Sequence, residues 1–115
     1  LEYSQRLSRR SRNVVAAPGQ STGLNLYEQA LTGGAQALGV AAGIQAGRPA
    51  DLVALDLSAA DYLPAGKVLD HFVFARGIGV DSVWVGGTKQ VEAGRHRNRE
   101  AIAARFARAM AELSA

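Results

Sequence analysis

Two adjacent glycines, Gly86 and Gly87, lie between the strand-like runs Val80-Asp-Ser-Val-Trp-Val85 and Thr88-Lys-Gln-Val-Glu92. A two-residue connection between runs of β-prone residues needs positive φ angles at its centre, which glycine supplies without steric cost. Val83 and Val85 point to one face, Trp84 points to the other, and Val91 is placed to pair across the turn. The spacing predicts one β-hairpin over 80–94 that leads straight into a terminal helix. A hairpin builds a sheet and carries no chemistry of its own.

Composition limits what can surround it. The chain has 115 residues, 48% of them apolar, enough for one domain at most and too hydrophobic for disorder as the default. Aromatic residues are only 6% and 13 positions are glycine, so burial per residue is modest and stability in isolation is doubtful. Leu1-Glu-Tyr-Ser-Gln5 starts inside a helical pattern with no capping residue before it, which reads as a piece of something longer. Cysteine is absent, which removes disulfides, thiolate nucleophiles and sulfur ligands and fits a reducing compartment. No apolar run reaches the roughly 18 to 20 residues that cross a bilayer, and nothing resembles a leader peptide, so a cytoplasmic protein with no membrane partner is expected.

The formal charge of +3 is unevenly spread. Arg6, Arg9, Arg10 and Arg12 crowd the first helix, and Arg95, Arg97, Arg99, Arg105 and Arg108 crowd the last segment. Neither group is interleaved with exposed aromatics, and Glu2, Glu100 and Glu112 break the field. Solvated helix faces, with arginine partners elsewhere in the protein, explain the clusters better than nucleic-acid binding.

Periodicity gives three regions. Residues 1–46 read as helical: a helix from Leu1 to about Val15, a turn at Pro18-Gly19, and a second helix from Leu24 to Leu38 with Tyr27, Ala30, Leu31, Ala35 and Leu38 on one face. Ser21 or Thr22 caps its start and Gly39 stops it. Gly33 and Gly34 within it cost about 1 kcal/mol each relative to Ala, which predicts a neighbouring backbone packed against them. Residues 47–97 carry the strands. Leu52 to Leu57 reads as a strand covered on both faces, bracketed by Asp51 and Asp56 as turn residues; Leu69 to Ala75 is ambiguous between helix and strand. Residues 98–115 read as a terminal helix capped by Asn98, with Ile102, Phe106, Ala109, Met110 and Leu113 as a stripe that must dock on something.

Signs of chemistry are sparse. His71 and His96 are 25 positions apart, in no arrangement that aims two imidazoles at one metal. His71, beside Asp70, is expected to be half-buried and bonded to that neighbour, and His96 to face solvent. No serine sits in an elbow-like Gly-x-Ser-x-Gly context. Gly33-Gly34 and Gly77-Ile-Gly79 lack the strand-turn-helix setting of a phosphate loop. No catalytic, cofactor-binding or metal-ligating residue is assigned.

Two motifs point to a family. Gly47-Arg-Pro-Ala-Asp-Leu-Val-Ala-Leu-Asp56, followed by Val83-Trp-Val-Gly-Gly87, Val91 and Gly94, resembles the carboxyl-terminal signature of metal-dependent amidohydrolases. The stretches Leu1-Glu-Tyr-Ser-Gln-Arg-Leu7 with its arginine-rich continuation to Asn13, Leu26-Tyr-Glu-Gln-Ala-Leu-Thr-Gly-Gly-Ala-Gln-Ala-Leu-Gly39 and Gly94-Arg-His96 are similar to the formimidoylglutamate deiminase branch. The resemblance implies an α+β fold: the carboxyl-terminal fragment of a (β/α)8-barrel enzyme, comprising its last barrel helices, part of a small β-sandwich and a terminal helix. It also implies zinc-assisted hydrolysis of N-formimidoyl-L-glutamate in histidine degradation, with the metal ligands (an early His-x-His, two later histidines and an aspartate) upstream of Leu1. On that basis the segment alone holds no zinc and is inactive. The implied partners are the remainder of the parent chain, a small-molecule substrate and a second subunit in a homodimer. A nucleobase deaminase or chlorohydrolase-like relative, and a freestanding interaction module binding an acidic partner, stay open as alternatives.

Overall fold

The computed structural model describes residues 2–114; the expected helix start at Leu1 and the last residue of the expected terminal helix lie outside that range. The chain divides into two units, residues 1–49 with 56–79, and residues 50–55 with 80–115.

The first unit is helical. Helix α1 (Glu2–Arg9) carries Glu2 in its first turn and arginines in its last, matching the helix dipole at both ends. It is shorter than the periodicity implied, because Arg10 takes a positive φ of 49° and turns the chain away. Helix α2 (Thr22–Leu38) has the anticipated ends. The Leu24 N–H donates to Ser21 Oγ at 3.0 Å, and Gly39 adopts the left-handed conformation with φ 65°. Ser21, not Thr22, is therefore the cap. After Pro64 a short 3-10 turn (Ala65–Lys67) leads into α3 (Val68–Phe74), which resolves the ambiguous segment as helix. Helices α2 and α3 meet closely at Gly23, where a Cβ would lie 2.3 Å from the Leu69 carbonyl oxygen. Gly33 and Gly34 behave differently: apart from their own neighbours along α2, no atom of the described residues comes within 4 Å of a Cβ built on either, so the described residues do not provide the expected packing against them.

The second unit is a four-stranded sheet, in the order β1 (Leu52–Asp56), β2 (Gly79–Val85), β3 (Thr88–Glu92), β4 (Arg95–His96), followed by α4 (Arg99–Leu113). The hairpin forms as expected. Gly86 and Gly87 have φ of 55° and 78°, and Val85 pairs with Thr88, Trp84 with Lys89 and Val83 with Val91. A bulge between the last two pairings absorbs one residue of β3. The chain does not run straight into the helix, because a second turn at Ala93-Gly94 (φ 47° and 70°) inserts β4 against β3. Asn98 occupies the position before α4 without a side-chain cap. Its N–H donates instead to His96 Nδ1 at 3.1 Å.

Little apolar surface is hidden. Ala60 is the one buried apolar side chain among the described residues, and β1 falls short of the expected double cover: Leu52 and Val53 are exposed and Ala54 and Leu55 only half-buried. The accessible surface is 8883 Å². Two independent globules of half this mass would together expose about 7,200 Å². The chain thus leaves bare a surface that a finished domain covers, including Tyr3, Leu7, Ile44, Phe106 and Leu113.

The two kinds of glycine in α2 give a paired expectation. Gly23→Ala should destabilise the chain by about 2–3 kcal/mol, since the added methyl meets backbone that cannot yield. Gly34→Ala should stabilise it by up to about 1 kcal/mol through helix propensity. Chemical denaturation of both variants checks the opposite signs.

Candidate functional site

The polar groups of the helical unit converge on a cleft of about 470 Å³ whose lining includes Arg6, Arg12, Thr22, Lys67, Asp70 and His71. Each has a structural origin. Asp70, in the first turn of α3, accepts from the Gly23 N–H at 2.7 Å and from the Ser21 hydroxyl at 2.9 Å through Oδ1, and Lys67 lies 3.5 Å from Oδ2. One carboxylate therefore holds the amino end of α2 from 47 and 49 residues away. Burial works to raise the Asp70 pKa, but the Gly23 amide, the Ser21 hydroxyl and Lys67 outweigh it and hold the carboxyl below the ordinary aspartate range.

Glu2 plays a similar part on α1. It is 4% exposed, pairs with Arg6 Nε at 2.8 Å and accepts from the Val14 N–H at 3.2 Å. The Arg6 hydrogen bond lowers its pKa, burial works against that, and the Val14 amide adds to the lowering. The Arg6 guanidinium also stacks 4.7 Å from the centre of the Phe74 ring and 5.3 Å from that of Tyr3, whose rings meet edge to face. Among the described residues, two buried oxygens, Glu2 Oε2 and Thr22 Oγ1, find no hydrogen-bond partner.

These groups are tied into the fold, which decides their chemistry. Asp70 is saturated with donors and held ionised, so it is a poor proton shuttle at neutral pH. Arg6 is committed to Glu2 and to two rings. His71 is half-buried as expected, but its Nε2 bonds the Arg76 carbonyl at 2.8 Å, because Asp70 is already occupied by α2. His96 is exposed, on β4 instead of in a loop. Asp51 and Asp56 act as turn residues, as the sequence indicated. Asp51 Oδ1 accepts from the Gly86 N–H at 2.7 Å, clamping the hairpin turn, and Asp56 Oδ1 accepts from the Ser58 N–H at 2.9 Å. Sequence reading missed Asp70 as the α2 anchor. Its only signal was a carboxylate facing a Ser-Thr-Gly helix start, and partners so far apart in the chain cannot be matched without the fold.

Among the described residues no three His, Asp or Glu side chains gather as a metal site requires. The described residues of this segment therefore do not by themselves fit a zinc centre. Among the described residues no helix is long and apolar enough to cross a membrane.

Comparisons with known proteins bear on the same surface. No family model matches the chain. It is 41% identical, over 98% of its length, to a formimidoylglutamate deiminase of Pseudomonas aeruginosa. Its fold matches the crystal structure of an amidohydrolase from Brucella melitensis with a TM-score of 0.90 and 45% identity over the whole chain. In both cases the chain spans about a quarter of the relative, 26% of its length.

Two variants test the polar anchors. Because the Asp70 pKa is depressed in the fold, its stabilisation is fully present above the ordinary aspartate value of about 3.9 and is lost as pH falls through the lower folded value. Asp70→Asn should cost about 1–2 kcal/mol at pH 7, by loss of a charged cap, with the gap to the unchanged protein closing below about pH 4 in pH-dependent denaturation. Glu2→Gln should speed hydrogen exchange at the Val14 amide while leaving exchange in β2 and β3 unchanged. The mixed helix and strand architecture and the motif resemblance agree with these matches: the chain is similar to a segment amounting to about a quarter of an amidohydrolase.

Proposed function

We propose that this chain is the carboxyl-terminal, non-catalytic portion of a cytoplasmic zinc-dependent hydrolase that converts N-formimidoyl-L-glutamate to N-formyl-L-glutamate and ammonia in histidine degradation. The single observation that carries the reading is 41% identity to a formimidoylglutamate deiminase over 98% of the chain. In this reaction water adds across the C=N bond of the formimidoyl group, its oxygen becomes the formyl oxygen, and nitrogen leaves as ammonia. Zinc held by the parent outside this segment would supply the activated water. The part played by this segment is mechanical: Asp70 and Glu2 fix the helices, and the hairpin completes a sheet.

The bare surface supports a bracing role. A segment that, among its described residues, buries Ala60 as its one apolar side chain and leaves two buried oxygens unpartnered is completed by contacts from outside itself. On this reading the isolated 115-residue chain associates or aggregates, and a monodisperse, cooperatively melting monomer contradicts it.

The test is an ammonia-release assay with N-formimidoyl-L-glutamate. The whole protein carrying this segment should release one ammonia per N-formyl-L-glutamate formed, and the 115 residues alone, supplied with zinc, should release none. Turnover of a nucleobase or chlorinated ring in place of the formimidoyl substrate would assign a different amidohydrolase activity. Turnover by the isolated segment would overturn the non-catalytic role.

A further inference from the structure

Glu2 does more than pair with Arg6. Its Oε1 accepts both from Arg6 Nε, one turn along α1, and from the Val14 N–H beyond the helix, so the intervening chain is clasped back onto α1. Closing so short a loop takes a tight path: Arg10 and Asn13 both adopt the left-handed conformation, with φ of 49° and 56°, although neither is glycine. The result is a cleft of about 530 Å³ lined by Tyr3, Arg6, Leu7, Arg10, Ser11 and Arg12.

Three guanidinium groups therefore border one recess, and no carboxylate lines it. Glu2 offsets Arg6. Arg10 and Arg12 make no ion pair among the described residues. Like charges gathered at a recess repel one another and draw in an anion, and here two of them have no counter-charge.

We propose that this cleft binds a small organic dianion whose charged oxygens are taken by Arg10 and Arg12. The charge count sets the ligand's charge: two uncompensated cations call for two negative charges, carried on a pair of carboxylates or on one phosphate ester. The planar guanidinium fork fits either oxyanion through paired N–H···O bonds. The volume lies in the ordinary range of small-molecule sites and exceeds what a bare inorganic ion fills. Tyr3 and Leu7, 61% and 81% exposed, offer an apolar wall for a carbon skeleton. Because Glu2 ties the loop to α1 at Val14, the arginines are gathered before the ligand arrives, and less freedom is lost on binding.

This site goes beyond the hydrolase reading and does not rest on it: ammonia release tests that reading, and dianion binding can fail while ammonia release stands. The test is calorimetric titration of glutarate, a dicarboxylate, and of glycerol 3-phosphate, a phosphate ester, into the whole protein that carries this segment, at about pH 8, where both probes are doubly charged. The variants are Arg10→Gln, Arg12→Gln and, as a control for the loss of one positive charge, Arg9→Gln, an exposed arginine of α1 outside the cleft lining. At least one probe should bind with an affinity that falls about tenfold in each of Arg10→Gln and Arg12→Gln and little in Arg9→Gln. The probe that shows this pattern identifies the oxyanion as carboxylate or phosphate. All three side chains are exposed, so circular dichroism should show unchanged folding. The proposal is overturned if neither probe binds, if binding ignores Arg10 and Arg12, or if Arg9→Gln weakens it as much as they do. It is also overturned if Arg10→Gln and Arg12→Gln lower the melting temperature of the probe-free protein by several degrees, the result expected when carboxylates of the remainder of the parent chain already pair with them.

Discussion

The Asp70 carboxylate is the contact on which the helical unit depends. It accepts two hydrogen bonds at the amino end of α2 from a position in α3, and so converts two helices remote in sequence into one packed pair. Gly23 makes the approach possible, because α2 and the backbone at Leu69 are too close for any side chain to stand between them. Glu2 does comparable work within α1 and the loop that follows, and Arg6 carries its influence onto the Tyr3 and Phe74 rings. With so few apolar side chains buried, charged hydrogen bonds take a larger share of the positioning than they do in an ordinary core.

The sheet unit is organised on the same plan. The Gly86-Gly87 turn is held by the Asp51 carboxylate and by the Gly87 N–H, which donates to the Ala50 carbonyl at 2.9 Å. The strand that precedes the long connection thus clamps the hairpin that follows it. In both units an aspartate at the edge of one element captures backbone N–H groups of another. This explains why Asp51 and Asp70 sit where a sequence reader sees only turn and cap residues.

Polar staples hold the described residues together while little apolar surface is buried among them. In the cleft of the helical unit Asp70 is bonded to Ser21, Gly23 and Lys67, and Arg6 to Glu2. Apolar side chains such as Tyr3, Leu7, Phe106 and Leu113 face outward.

Local rules made much of this chain legible from its sequence. The Gly86-Gly87 hairpin, the start of α2 at Ser21 or Thr22 and its end at Gly39, the strand at Leu52 and the terminal helix all follow from turn chemistry, capping and periodicity, which act over a few residues. The family was legible from motifs of similarly short range. Tertiary structure alone decided that Arg10 ends α1, that Ala93-Gly94 inserts β4, that Leu69 to Ala75 is helical, and that Asp70 anchors α2 instead of bonding His71. It also decided that Gly33 and Gly34 face open space. Those outcomes turn on competition between partners distant in the chain, and periodicity registers which face of a helix is apolar but not what, if anything, arrives to cover it.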